Sequence, residues 1–204
     1  MSTIADCRRF ATTTGACARV ARRALTMAMA MVMAMGVAQA GAAATIDVTA
    51  ERRGEGVEIH AHALLGADAA SAWRVLTDYD RYAEFIPDLR MSRVIARRGT
   101  TVTVEQAGDA RLWLLRTPLD ITFEITESPP YGVQSRAVAG SLRALESRYL
   151  LTPASSGVHL DYTGDIASGF ERFGHIEQYA VRHNVARQFQ ALADEIERRA
   201  AGRR

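Results

Sequence analysis

From Leu89 to Ile166 the chain is written in period two, as short apolar–polar alternations broken by turns, and one long amphipathic segment follows at 175–199. Val102, Val104 and Gln106 share one face of such a run, with Thr101, Thr103 and Glu105 on the other. Ile121, Phe123 and Ile125 alternate with Thr122, Glu124 and Thr126, and Val158, Leu160 and Tyr162 alternate with His159, Asp161 and Thr163. Alternation of this kind builds an antiparallel sheet with one apolar and one solvated face. Arg98-Gly99-Thr100, Pro129-Pro130-Tyr131-Gly132, Gly140 and Pro153 to Gly157 supply the breaks. Strands are expected over 91–97, 101–107, 111–116, 121–126, 133–139, 145–151 and 158–166.

A sheet with one apolar face must cover it. The 175–199 segment, on the order of 37 Å long at 1.5 Å per residue, is the element large enough to do so. Its expected apolar stripe is Ile176, Tyr179, Val185, Phe189, Leu192 and Ile196. Upstream, Val57, Ile59, Ala61 and Ala63 alternate with Glu58, His60 and His62 as one more strand. Ala67 to Leu76 reads as a helix with Asp68 as N-cap, and Asp80 to Ile86 as a short second helix stopped by Pro87. The expected class is α+β: a curved antiparallel sheet of about six to seven strands wrapped around a long C-terminal helix, with two short helices after the first strand. Such a grip leaves space beneath the helix, and space of that kind commonly holds a ligand.

The first forty residues are built differently. Arg8, Arg9, Arg19, Arg22 and Arg23 precede an uncharged run from Ala24 to Val37, which ends in Ala38-Gln39-Ala40. A basic region, a short apolar region and small residues at a cleavage site, in that order, describe a signal peptide. Cleavage is expected after Ala40, with Ala44 as the alternative. An uncleaved membrane anchor over 24–44 is the competing reading. The expected organisation is a signal peptide over 1–40, a tether or edge strand over 41–54 and one domain over 55–200, with a periplasmic or secreted location. Subtracting five Arg and one Asp from 25 basic and 23 acidic residues leaves 20 against 22. The mature chain is slightly acidic and carries no basic patch that would argue for nucleic acid. Both cysteines, Cys7 and Cys17, fall in the removed segment, so no disulfide or thiol chemistry is expected.

Motifs for catalysis are sparse. His60 and His62 share a strand's polar face with Glu58, but a zinc site needs three or four ligands, and a solvated face is the simpler reading. No nucleophile elbow, dinucleotide fingerprint or P-loop occurs. By alternation Glu105, Glu124, Asp161 and Asp165 face solvent, which counts against acid–base work inside a pocket. No metal and no cofactor is expected.

A longer pattern carries more. Trp73-Arg74-Val75-Leu76 runs into Asp78-Tyr79-x-x-Tyr82-x-x-Phe85-x-Pro87; Val104-Glu105-Gln106, Glu127-Ser128-Pro129-Pro130, Tyr149-x-x-x-Pro153 and Arg182-His183-Asn184-Val185-Ala186-Arg187-Gln188-Phe189 follow in order. In this series the chain resembles the START-like (helix-grip, SRPBCC) superfamily, specifically its polyketide cyclase/dehydrase and lipid transport branch, which includes coenzyme Q-binding START-like proteins. The resemblance covers nearly all of 55–199. It departs from the pattern at Ser135, Ala137 and Ala139, where bulkier inward residues are usual, and at Ser147, where Gly is common. These small residues would either enlarge a cavity or let the helix sit closer.

The resemblance implies a pocket for a hydrophobic small molecule, such as a lipid, isoprenoid or quinone. The residues expected to contact it are Val104, Gln106, Phe123, Ile125, Tyr149, Tyr162, Tyr179, Val185 and Phe189. A carrier or binding protein is the leading expectation. A cyclase/dehydratase-type enzyme and a periplasmic protein-interaction module are the alternatives, and a transient membrane or protein partner stays open.

Overall fold

The computed structural model describes residues 46–112, 115–167 and 175–202; the signal-peptide reading of 1–40 lies outside them. Eight antiparallel strands form one sheet in the order β1-β2-β8-β7-β6-β5-β4-β3. The strands are β1 (Ile46–Arg53), β2 (Gly56–Leu65), β3 (Leu89–Arg98), β4 (Thr101–Leu112), β5 (Leu115–Ser128), β6 (Gly132–Gly140), β7 (Ala144–Ala154) and β8 (Gly157–Ala167). Helix α1 (Ala69–Leu76), a 3-10 turn (Tyr79–Arg81) and helix α2 (Tyr82–Phe85) join β2 to β3, and helix α3 (His175–Ala201) follows β8. This is the sheet-and-long-helix arrangement that the alternation predicts and the helix-grip architecture that the resemblance implies.

Two details differ from the sequence reading. The sheet has eight strands where six to seven were expected, and within the segment read as a tether or edge strand β1 pairs with β2 at the sheet edge. The strand expected at 111–116 is instead the close of a hairpin, in which Leu112 pairs with Leu115 and Arg111 with Arg116. The run Leu112-Trp113-Leu114-Leu115 contains no Gly, Pro, Asn or Asp, so the sequence carries no mark of a break between the two strands.

Local chemistry sets the helices. Asp68 accepts the Ser71 amide at 2.8 Å and the Ser71 hydroxyl at 2.7 Å, capping α1. Ile86 is extended, as a residue before proline prefers, and α2 stops there. Burial follows period two in β2, where Val57, Ile59, Ala61, Ala63 and Leu65 are all buried. These side chains, with Leu160 from β8, Val75 and Leu76 from α1, and Phe189, Leu192 and Ile196 from α3, form one core.

Side chains bond some of the backbone groups on both sheet edges. On β1, Gln178 Nε2 donates to Ala50 O at 2.6 Å and Arg182 Nε to Val48 O at 2.8 Å. On β3, the Val94 amide donates to Asp80 Oδ1 at 2.7 Å. Satisfying exposed edge groups blocks pairing with a second chain.

At its C-terminal end α3 is tied to the segment between α1 and β3. Arg199 Nη1 donates to Asp78 at 2.6 Å and Arg199 Nε to Glu195 at 2.5 Å, and the guanidinium lies 5.7 Å from the Phe85 ring centre. Tyr79, Tyr82 and Phe85 pack edge to face, and Tyr82 donates its hydroxyl hydrogen to Leu76 O at 2.6 Å. The aspartate and aromatic residues of the D-Y-x-x-Y-x-x-F motif therefore anchor the helix to the sheet.

Candidate functional site

The space left under α3 lies at the helix's N-terminal end. It is a cavity of about 220 Å³, walled by Gln106, Gly108 and Ala110 of β4, Thr117, Leu119, Ile121 and Phe123 of β5, Leu142, Leu145, Ile166 and, on α3, Ala180, Val181, Asn184, Val185 and Gln188. Leu, Ile, Val and Phe together are the commonest residues of this lining, and Asp88, Asp109 and Arg111 are its charged ones. An apolar chamber with a few convergent polar groups suits an amphiphilic or hydrophobic ligand.

The polar corner is built from three elements. Asp88, just before β3, adopts φ 62°, a left-handed conformation that Asp tolerates better than most residues. Its carbonyl accepts the Asp109 amide at 2.9 Å. A side chain at position 108 would meet that carbonyl at 2.6 Å, so Gly108 is what lets the two segments approach. The Asp88 carboxylate receives Arg111 Nε at 3.0 Å and Nη2 at 2.8 Å on one oxygen, and Arg187 Nη1 at 2.5 Å on the other. Burial alone would raise the carboxyl's pKa, but the bonds from Arg111 and Arg187 outweigh it and hold it below the usual range. Asn184 completes the corner: its amide nitrogen donates to Arg111 O at 2.7 Å, and its oxygen accepts the Arg111 amide at 3.3 Å.

The expected contact residues divide into four groups. Gln106, Phe123 and Val185 line the cavity. Val104, Ile125 and Phe189 are buried in the core, at 0%, 5% and 1% exposure. Tyr149 and Tyr162 stand opposite each other on β7 and β8 with ring centres 4.8 Å apart. They pack inside the grip and do not border the cavity. Tyr179 is 69% exposed and stacks on His183, away from the cavity. Its placement in the apolar stripe is corrected here. Six residues separate it from Val185, about 240° around a helix of 3.6 residues per turn, so the two cannot share a face. Ala180, Asn184 and Val185 carry the inward stripe instead.

The small inward residues of β6 and β7 have a definite use. Ser135 and Ser147 are directly opposed, with their hydroxyl oxygens 2.6 Å apart. The Tyr162 ring lies back along its own strand, so that a side chain at Gly164 would meet the Tyr162 oxygen at 2.4 Å. Burial pushes the Tyr162 hydroxyl up to about 12, opposed by its bond to Ser147. The space those small residues create is thus filled by a tyrosine. Ala139 leaves the inner face because a register shift between Thr122 and Phe123 sets Ala137 opposite Phe123 and Ala139 opposite Thr122.

Sequence reasoning did not place Asp88, Arg111, Asn184 or Arg187 at the cavity. A signal was present: Asn184 and Arg187 lie in the terminal motif, and Asp88 follows the F-x-P step. His62 and Asp161, expected on the solvated face, are there, 2.7 Å apart, with His62 stacked on His159. Among the described residues no group of three or more His, Cys, Asp or Glu is arranged to hold a metal ion.

The sequence model of a family described as polyketide cyclase/dehydrase and lipid transport matches residues 65–187. Among solved structures, the chain is similar to a STAR-related lipid transfer protein from Xanthomonas axonopodis, at 16% identity, 79% coverage of this chain, 97% of that one and a TM-score of 0.61. It is also similar to the Zhui aromatase/cyclase from Streptomyces sp. R1128, at 16% identity, 78% and 99% coverage and a TM-score of 0.58. A START superfamily protein from Mycobacterium smegmatis matches at 12% identity, 69% and 97% coverage and a TM-score of 0.60. At these identities the likeness to solved structures is one of fold. A comparison with curated proteins gave no match.

Proposed function

Because the chain belongs to the polyketide cyclase/dehydrase and lipid transport family, we propose that it is an exported carrier that holds a hydrophobic small molecule, of the lipid, isoprenoid or quinone kind, between its sheet and α3. The observation that carries this reading is the cavity itself, about 220 Å³ and walled chiefly by aliphatic and aromatic side chains. Burying an apolar molecule there removes it from water, which is what transfer across an aqueous compartment requires. The N-terminal segment supports export on its sequence alone.

The family also holds enzymes, and the composition of the cavity wall favours the carrier. A cyclase or dehydratase needs an acid or base with a pKa near the working pH, set against the substrate. No histidine is among the described lining residues. The wall's two carboxylates are engaged, Asp88 by Arg111 and Arg187 and Asp109 by Arg90 at 2.6 Å. The Asp88 carboxyl is held ionised, which makes it a weak base and no acid.

Transfer of a fluorescent long-chain lipid between donor and acceptor vesicles tests the proposal. Catalysed transfer that scales with protein concentration is the expected result. Turnover of a polyketide-like substrate with no transfer would favour the enzyme reading. Amino-terminal sequencing of the protein recovered from the producing cell tests export, with a start at Gly41 expected.

A further inference from the structure

The polar corner of the cavity holds more cation than its one shared carboxylate can neutralise. Asp88 lies between two guanidiniums, and Asp109 is already paired with Arg90. Arg111 gives Asp88 two of its five N–H groups and Arg187 gives one of its five. Among the described residues Arg187 has no other partner. Both side chains are part-buried, at 38% and 30% exposure, where water screens them less than on an open surface.

Arg111 and Asp88 are themselves among the residues that wall the cavity. Two guanidiniums therefore share one carboxylate at the side of an otherwise largely apolar chamber.

We infer that the ligand is an amphiphile with an anionic oxygen head group, a carboxylate or a phosphate, seated against Arg111 and Arg187 while its apolar part enters the cavity. This rests on the carrier reading above and adds the chemical class of the cargo. Guanidinium is suited to the task, since its planar fork can bond two oxygens of one anion. Asp88 acts here as a positioning residue: itself part of the wall, it holds both guanidiniums without cancelling their combined charge.

The test uses the protein produced from its full sequence and titrated calorimetrically with three probes of one chain length: dodecanoate, dodecyl phosphate and dodecanol. The acids are expected to bind about tenfold more tightly than the alcohol, the effect of one or two charge-assisted hydrogen bonds. A preference between the two acids identifies the head group. Arg187→Gln should narrow the gap and Arg187→Lys should restore part of it. Equal affinity for alcohol and acids, or a gap unchanged in Arg187→Gln, would overturn the head-group assignment and leave the carrier reading standing. Binding of none of the three would contradict both.

Discussion

Asn184 on α3 and Arg111 on β4 exchange hydrogen bonds in both directions, the Asn184 side chain donating to the Arg111 carbonyl at 2.7 Å and accepting from its amide at 3.3 Å. β4 extends beyond the last residue it pairs with on β3, and this side chain satisfies the backbone groups left open there. Asn184→Ala would leave both backbone groups without that partner. A loss of about 1–3 kcal/mol is expected, read from urea denaturation, together with a weaker grip on any ligand.

Gly164 and Tyr162 are coupled by space. A methyl group at 164 would fall 2.4 Å from the Tyr162 oxygen and 2.9 Å from the ring carbon bearing it. Gly164→Ala is expected to destabilise by about 1–3 kcal/mol through overpacking. Tyr162→Phe in the same chain should recover part of that loss, because it removes the nearest atom. A double-mutant cycle measures the coupling, and strictly additive losses would show that the ring does not fill this space.

Much of the fold was legible before any coordinates. Val57, Ile59, Ala61 and Ala63 showed their period, and the structure buries all of them. What could not be read was local. No Gly, Pro, Asn or Asp marks the break between β4 and β5, whose pairing runs through Arg111 and Arg116, and a register shift at Thr122 and Phe123 moved Ala139 off the inner face. The site was read less fully than the fold. Gln106, Phe123 and Val185 were expected at the cavity and line it. The Asp88 cluster was missed because its members lie far apart in sequence and meet only when β4 and α3 close on the turn before β3. Alternation assigns a residue to a face; it does not say which charged side chains will reach around an edge.

Tyr179 gives a test of the corrected helix phase. At 69% exposure it contributes little to packing. Tyr179→Ala should change stability by no more than about 0.5 kcal/mol and leave ligand uptake intact. A large loss in either would mean that the tyrosine faces inward after all.

Glu195 predicts a pH dependence. Its side chain is 8% exposed, and its carboxyl is drawn from 4.5 down to about 2, chiefly by the hydrogen bonds from Arg198, with burial opposing and Arg199 adding to the pull. A carboxyl lowered by folding contributes stability above its unfolded pKa and loses it as pH falls through the folded value. The contribution is therefore complete at neutral pH and disappears between about 4.5 and 2. Glu195→Gln should be less stable than the native chain at neutral pH, and the difference should shrink across that window. Denaturation curves at several pH values read it directly.

The central claim is that the cavity beneath α3 carries a hydrophobic molecule. Native mass spectrometry of the protein recovered gently from the producing cell, followed by solvent extraction, tests it most directly. Ala180→Phe, which places a ring in the cavity wall, serves as the control. The account predicts a stoichiometric apolar adduct on the native chain that is lost from a folded Ala180→Phe variant. An adduct that survives in the variant, or a native chain that stays bare and takes up no lipid when one is offered, would contradict it.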